Sequence, residues 1–379
     1  MVTPARITLA RRRRALTLAG LSARVKVSVQ SLSNYETGRT APRPATLTRL
    51  AEVLDFPESF FHGPPLPEVP AESVSWRDFD RTHARAREAA RVSALLGAEV
   101  YDWIGRRFRL PPVDLPPAVG VDPLVAAGEL RDAWGLGTGP VPDMVRLLES
   151  RGVRVFALAA EHARVGTFSV WHRGFPYLFL NTAKAPAHAR LDAAHELGHL
   201  LLHRDGRPCT GPLADRDADA FAAAFLMPDV DMPGAEAAPA STACAQAQEQ
   251  ALPLPRGPRL ADVVAAARTW GVPPEAVATR MLGLGLLDDT HHRRLCRELA
   301  LHEARPAAPG GRSPLPSPAL PAARITHALR AAGVRPAAVA AEVGISVNEL
   351  NWLLGMIPAP GRQQPGTAAP RTTERRPHR

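Results

Sequence analysis

Apolar positions over Thr17–Glu36, TLAGLSARVKVSVQSLSNYE, are spaced so that Leu21 and Val25 share one helical face. Val27 then closes a tight turn, and Leu32 opens the buried side of a second short helix. This cadence predicts a helix-turn-helix inside a module of short helices from about Arg6 to Phe61, ended by Pro64, Pro65, Pro67 and Pro70. Helical spacing returns over Asp78–Phe108, with Val92, Leu95, Leu96, Val100 and Trp103 as its buried stripe, and Pro111–Pro123 closes it. Helices around Pro123–Trp134 and Pro142–Ser150 precede three β-favouring runs, Val153–Phe156, Thr167–Trp171 and Tyr177–Leu180. Two longer helices follow, from about Ala187 to Leu202 and from about Leu213 to Met227. Asp229–Pro258, rich in Ala, Gln and Pro, reads as a flexible excursion, and Asp262–Leu287 resumes as helices with a turn at Gly271–Pro274. After a joint at Pro306–Pro318, a helical module over about Pro321–Met356 repeats the helix-turn-helix cadence, with Gly344 in the turn and Ser346 as a cap.

The pattern predicts a multidomain chain: an all-α helix-turn-helix domain over 1–63, a helical linker region over 64–122, and an α+β domain over 123–290 with its sheet on one side. A C-terminal helical module over 319–357 and a basic disordered tail over 358–379 complete it. Charge sharpens the picture. Of 379 residues, Lys+Arg number 46 and Asp+Glu 37, for a net charge of +9. Met1–Phe56 holds ten basic residues against three acidic ones, and Gly361–Arg379 five arginines against one glutamate, so attraction to phosphate belongs to the two ends. Three scattered cysteines, Cys209, Cys244 and Cys296, cannot build a disulfide framework and point to a reducing compartment. No apolar run approaches the roughly eighteen residues of a membrane span. The reading is a cytoplasmic protein with no membrane partner.

Within the first module Ser28 can cap the second helix, and Gln30 and Asn34 lie four apart on one face. Carboxamides donate and accept together, as adenine N6 and N7 require of a reader in the major groove of double-stranded DNA. Val29, Gln30 and Asn34 are the candidate base readers, and Arg11, Arg14, Arg39 and Arg43 the candidate phosphate contacts. The segment resembles the XRE (Cro/C1-like) helix-turn-helix family, with Tyr35, Glu36, Gly38, Pro44, Leu47, Leu50 and Ala51 at the family's usual places. Lys26 stands where that family usually has glycine. The resemblance implies binding as a homodimer. In the C-terminal repeat of the cadence, Glu349 would repel phosphate, which favours packing or dimerisation over a second DNA reader.

The sharpest chemical signal is His195-Glu196-Leu197-Gly198-His199 in AHELGHLLLH. At ~100° per residue the two histidines fall within about 40° of each other, so both imidazoles can close on one zinc ion. Leu197 and Leu201 point to the core, and Glu196 is near enough to act on a water at the metal. His203 shares the face, but two helical turns separate its backbone from that of His195 by about 12 Å, which makes it a supporting or helix-end residue. A third ligand is expected from LADRDADAFAAAFLMP. Asp215 is favoured there with Asp217 as a close alternative, and Asp219 is expected to hold the distal nitrogen of a ligand histidine. Tyr177, His172 and His162 are weak candidates for stabilising an oxyanion, and the edge of the Thr167–Leu180 strands could pair with an extended substrate.

This domain resembles the ImmA/IrrE zinc metallopeptidases, which implies a zincin-like fold, a Zn2+ cofactor, Glu196 as catalytic base and a repressor-like protein as substrate. Trp76–Asp80 and Gly271–Leu287 agree with the subgroup in which a helix-turn-helix precedes the peptidase. The family's third ligand is typically glutamate, whereas this chain offers only aspartates, one methylene shorter. The expected function is a DNA-binding transcriptional regulator with a zinc-dependent endopeptidase domain. The alternatives are a transcription factor whose metallopeptidase-like domain only senses, and an antitoxin-like DNA-binding protein.

Overall fold

The computed structural model describes residues 1–70, 73–76, 84–158, 165–204, 210–229, 258–303 and 323–355. Most of Trp76–Asp80, His162, Cys209, Cys244, nearly all of the Asp229–Pro258 excursion, the Pro306–Pro318 joint and the basic tail lie outside the described residues.

The first module contains α1 (Pro4–Arg13), α2 (Leu18–Val25), α3 (Val29–Glu36), α4 (Pro44–Leu54) and a 3-10 turn over Glu58–His62. Proline begins α1 and α4, where the missing N–H has no helical partner to lose. The turn from α2 to α3 passes through Lys26 at φ 58°, a left-handed conformation, and the Ser28 hydroxyl accepts the Ser31 N–H at 3.0 Å. Ile7, Leu21, Val25, Leu32, Leu50, Leu54 and Phe61 are wholly buried at the centre.

Beyond the first module the chain continues as helices that lead to the sheet. Helix α5 (Ala84–Gly105) packs on the sheet, and α6 (Pro123–Ala133) and α7 (Met144–Ser150) lead into β1 (Arg154–Ala157), β2 (Phe168–His172) and β3 (Phe175–Leu180). The strand order is β1-β3-β2, with β1 parallel and β2 antiparallel to β3. Arg173 and Gly174, both with positive φ, make the two-residue turn of the β2–β3 hairpin. Next come α8 (Pro186–Leu202) and α9 (Pro212–Leu226), then α10 (Leu260–Trp270), α11 (Pro274–Gly283) and α12 (Asp289–Glu303). The sequence pattern did not predict α12.

Alternation along the strands divides the sheet's side chains between two cores. Val155, Leu178 and Leu180 face α8 and belong to the cluster built by α6–α12. Phe156, Phe168, Val170, Tyr177 and Phe179 face the other way, into a cluster that includes α5 and the first module. The sheet is therefore covered on both faces, not on one. Gly97 makes room for this, since a Cβ there would lie 2.5 Å from the Phe156 ring.

The C-terminal helices α13 (Ala323–Ala331), α14 (Pro336–Val343) and α15 (Val347–Leu353) join the same cluster. Gly344 takes φ 79° and Ser346 caps α15, as the cadence predicts. Glu349 is wholly buried, receiving Arg13 Nε at 2.7 Å and Arg14 Nη1 at 2.9 Å. Trp352 lies beneath both guanidinium groups, and Glu342 accepts from Trp103 Nε1 at 3.0 Å. This module packs onto the rest of the chain through Glu349, Trp352 and Glu342. Among the described residues, no helix is long and apolar enough to cross a membrane.

Candidate metal centre and nucleic-acid face

Helix α8 carries His195 and His199 one turn apart, and α9 crosses it so that Asp215 comes to the same point. Their donor atoms all lie within 4.8 Å of one another. The two Nε2 atoms are 3.0 Å apart, and His199 Nε2 is 3.6 Å from Asp215 Oδ1. Both histidines are buried, at 1% and 2% exposure.

The close crossing follows from a single residue. A Cβ on Gly198 would stand 3.2 Å from Ala218 Cα, 3.3 Å from Ala218 O and 3.1 Å from the Phe221 ring. Glycine here, with alanine opposite, lets the two backbones approach far enough for the short aspartate to reach the histidines. Leu197 and Leu201, on the far side of α8, are buried in its core.

Further side chains flank the two rings from behind. His195 Nδ1 is 2.8 Å from Asp219 Oδ1, so the ring donates there and its Nε2 keeps a bare lone pair. His199 Nδ1 is 3.0 Å from His203 Nδ1, and His203 Nε2 is 3.9 Å from Asp217 Oδ2. The 3.9 Å gap to Asp217 is beyond hydrogen-bond reach and fixes no proton on His203. The two Nε2 atoms and the Asp215 carboxylate are metal-ligand groups close enough together to share one cation. The residues therefore fit a metal ion, and Asp217 sits beside His203 while Asp215 sits beside the ligand pair.

Glu196 points from α8 to the sheet. It is wholly buried, and its Oε2 accepts from Ser169 Oγ at 2.7 Å and from Ser75 Oγ. Ser169 follows from strand alternation, since it faces α8 together with Trp171, whose Nε1 donates to Leu200 O at 3.0 Å. Ser75 had no signal in the sequence, because its partner strand begins more than ninety positions later. Two of the oxyanion candidates are elsewhere. Tyr177 and His172 lie on the α5 side of the sheet, away from α8. Burial pushes the Tyr177 hydroxyl up to about 12. Burial and then Arg173 hold His172 below its ordinary value.

On the first module, α3 presents Val29 at 45% exposure and an exposed Gln30, whose Nε2 donates to Asn34 Oδ1 at 3.1 Å. Arg39 and Arg43 are exposed beyond its end. Arg11 and Arg14 are placed differently. Arg11 donates to Glu36 at 2.6 and 2.8 Å, Arg12 to Glu88 at 3.0 Å, Arg13 to Glu349, and Arg14 to Leu54 O at 2.7 Å and to Glu349. The run that looked like a phosphate patch instead ties α1 to α3, α4, α5 and α15.

Residues 148–282 match a peptidase family model described as IrrE N-terminal-like domain, and residues 5–59 match a helix-turn-helix domain model. No curated protein and no solved structure matches the chain. The chain thus joins an N-terminal helix-turn-helix domain of XRE type to an ImmA/IrrE-like peptidase domain. With its His/His/Asp cluster, this architecture supports a DNA-binding regulator carrying a peptidase-like domain.

Proposed function

We propose that this protein is a cytoplasmic transcriptional regulator whose second domain is a zinc-dependent endopeptidase acting on a repressor-like protein. The observation that carries the reading is the convergence of His195, His199 and Asp215 within 4.8 Å, contributed by two helices. Two imidazoles and one carboxylate are the donor set of a catalytic zinc site with a position left for substrate. A bound zinc ion supplies Lewis acidity to a peptide carbonyl and to the water that attacks it. The chain's own residues divide the remaining work. Asp219 and His203 fix the ligand rings from behind, which keeps both Nε2 atoms turned inward. Glu196, next to ligand His195, is the group that takes up a proton and returns it to the departing amine, with Ser169 holding its carboxylate.

The first domain supplies the address. Val29, Gln30 and Asn34 read base edges from α3, Arg39 and Arg43 hold phosphates, and a homodimer reads two half-sites about 34 Å apart. The test pairs zinc quantification with incubation against candidate repressors, comparing wild type with Glu196→Gln. Both should retain zinc, and only wild type should cut. Less than about half an equivalent of zinc in folded wild type, or equal cleavage by both, overturns the reading.

A further inference from the structure

The sheet edge beside Glu196 is not open. Strand β2 has β3 on one side, and residues 73–76, which lead out of the helix-turn-helix domain, lie along the other. Val74 pairs antiparallel with Val170, and Ser75 N donates to Ser169 O at 3.1 Å. Ser169 N donates to Ser75 Oγ at 3.1 Å, and the Trp76 ring is 4.8 Å from that of Phe168. Three successive residues thus keep one antiparallel register. Val74 and Trp76 join the α5-side core with Val170 and Phe168, while Ser75 turns to α8 and donates to Glu196.

We propose that residues 73–76 occupy this edge in the resting chain as an internal stand-in for the extended peptide that the peptidase reading requires there. The proposal rests on the peptidase reading of Glu196. A strand added to a sheet edge gains affinity from its main chain and specificity from alternate side chains. The stand-in therefore displays what a partner must offer. The residue facing Glu196 must be small, because Ser75 is buried between Ser169 and Glu196. The residue after it must be a large ring or apolar group that covers Phe168. The partner is an unfolded or loop segment of a protein with the order apolar, small, aromatic.

The stand-in is also hard to displace. Its lead-in is pinned where Arg6 Nε donates to Pro64 O at 2.8 Å and where Arg91 donates to Val69 O. A strand tethered so closely acts at an effective concentration in the millimolar range. A free peptide whose own Kd for the open edge is ~10 μM then binds about 100-fold more weakly than it would without the stand-in. A partner that also docks elsewhere on the chain escapes this handicap.

The test uses the full chain with Ser75→Pro, which removes the N–H given to Ser169 and the hydroxyl given to Glu196, and with Trp76→Ala, which removes the ring on Phe168. The probe is a fluorescein-labelled peptide of residues 70–80, PAESVSWRDFD, read by anisotropy with and without zinc. Amide exchange of residues 168–172 is followed in parallel. Ser75→Pro should bind the peptide about 100-fold more tightly than wild type, and Trp76→Ala at least several-fold more tightly. Exchange across β2 should accelerate in both variants and slow again with peptide. If Ser75→Pro does not fold, Trp76→Ala decides alone. Equal affinity for variants and wild type, no binding to any of them, or unchanged exchange overturns the proposal. Neither readout needs catalysis, so a released edge on a chain that cuts nothing keeps the stand-in and removes the peptidase reading. Equal repressor cleavage by wild type and Ser75→Pro does the reverse.

Discussion

Replacing Gly198 by alanine tests whether helix approach is what makes an aspartate ligand workable. The new methyl would meet backbone, with Ala218 Cα at 3.2 Å and Ala218 O at 3.3 Å, and would also press on the Phe221 ring at 3.1 Å. Nothing there is the loose end of a long side chain, so α9 itself must shift by a few tenths of an ångström. Overpacking of this kind costs about 1–3 kcal/mol, against a gain of about 1 kcal/mol from alanine's better helix propensity. The net stability change is thus small, from near zero to a loss of about 2 kcal/mol. The metal feels the shift more sharply, because Asp215 has no spare methylene with which to follow. A displaced ligand or its support typically lowers metal affinity by about 10–100-fold. Zinc competition against a chromophoric chelator reads the affinity, and thermal unfolding in EDTA reads the stability separately. Asp215→Glu should weaken zinc in wild type, where the longer side chain is crowded, and should restore part of the loss in Gly198→Ala. Undiminished zinc affinity in Gly198→Ala, or additive losses in the double variant, would refute the reasoning.

Three further outcomes follow from the geometry. Lys26→Gly should raise stability by about 0.5–1 kcal/mol in thermal unfolding, since the left-handed lysine costs about 1–2 kcal/mol and glycine's extra chain entropy returns only part of that; a loss of stability contradicts it. Glu349→Ala should cost about 3–5 kcal/mol in urea unfolding by leaving Arg13 buried without its counter-charge, whereas changing both to well-fitted apolar residues should cost little; a single-variant loss under about 1 kcal/mol rejects the ion pair as described. Arg39→Ala should weaken binding to all duplexes and reduce the salt slope by about one, while Gln30→Ala relaxes base preference; Arg11→Ala should lower stability and leave the slope alone, because Glu36 already holds that guanidinium.

Local chemistry made much of this legible. The helix bearing His195 and His199, the caps at Ser28 and Ser346, and the turns at Lys26 and Gly344 depend on neighbours a few positions away, and the spacing shows them. Asp219 behind His195 was legible for the same reason, since faces of two regular helices can be worked out separately and then matched. Other features depend on distant partners. The four consecutive arginines look alike along the chain, yet Glu36, Glu88, Asp55 and Glu349 claim them one by one from other elements. The stripe along α5 does not reveal that Gly97 admits the Phe156 ring from a strand much later in the chain. Residues 73–76 are too short to show any period, and only the β2 edge makes a strand of them.

The salt link between α1 and α15 spans 336 positions, so the first and last helical modules complete each other's electrostatics. Glu349 thus belongs to the interior of the first module as much as to its own helix, being wholly buried against an Arg13 that is itself 1% exposed. Loss of the C-terminal helices would take that carboxylate away from Arg13, so the stability of the first module should depend on the far end of the sequence.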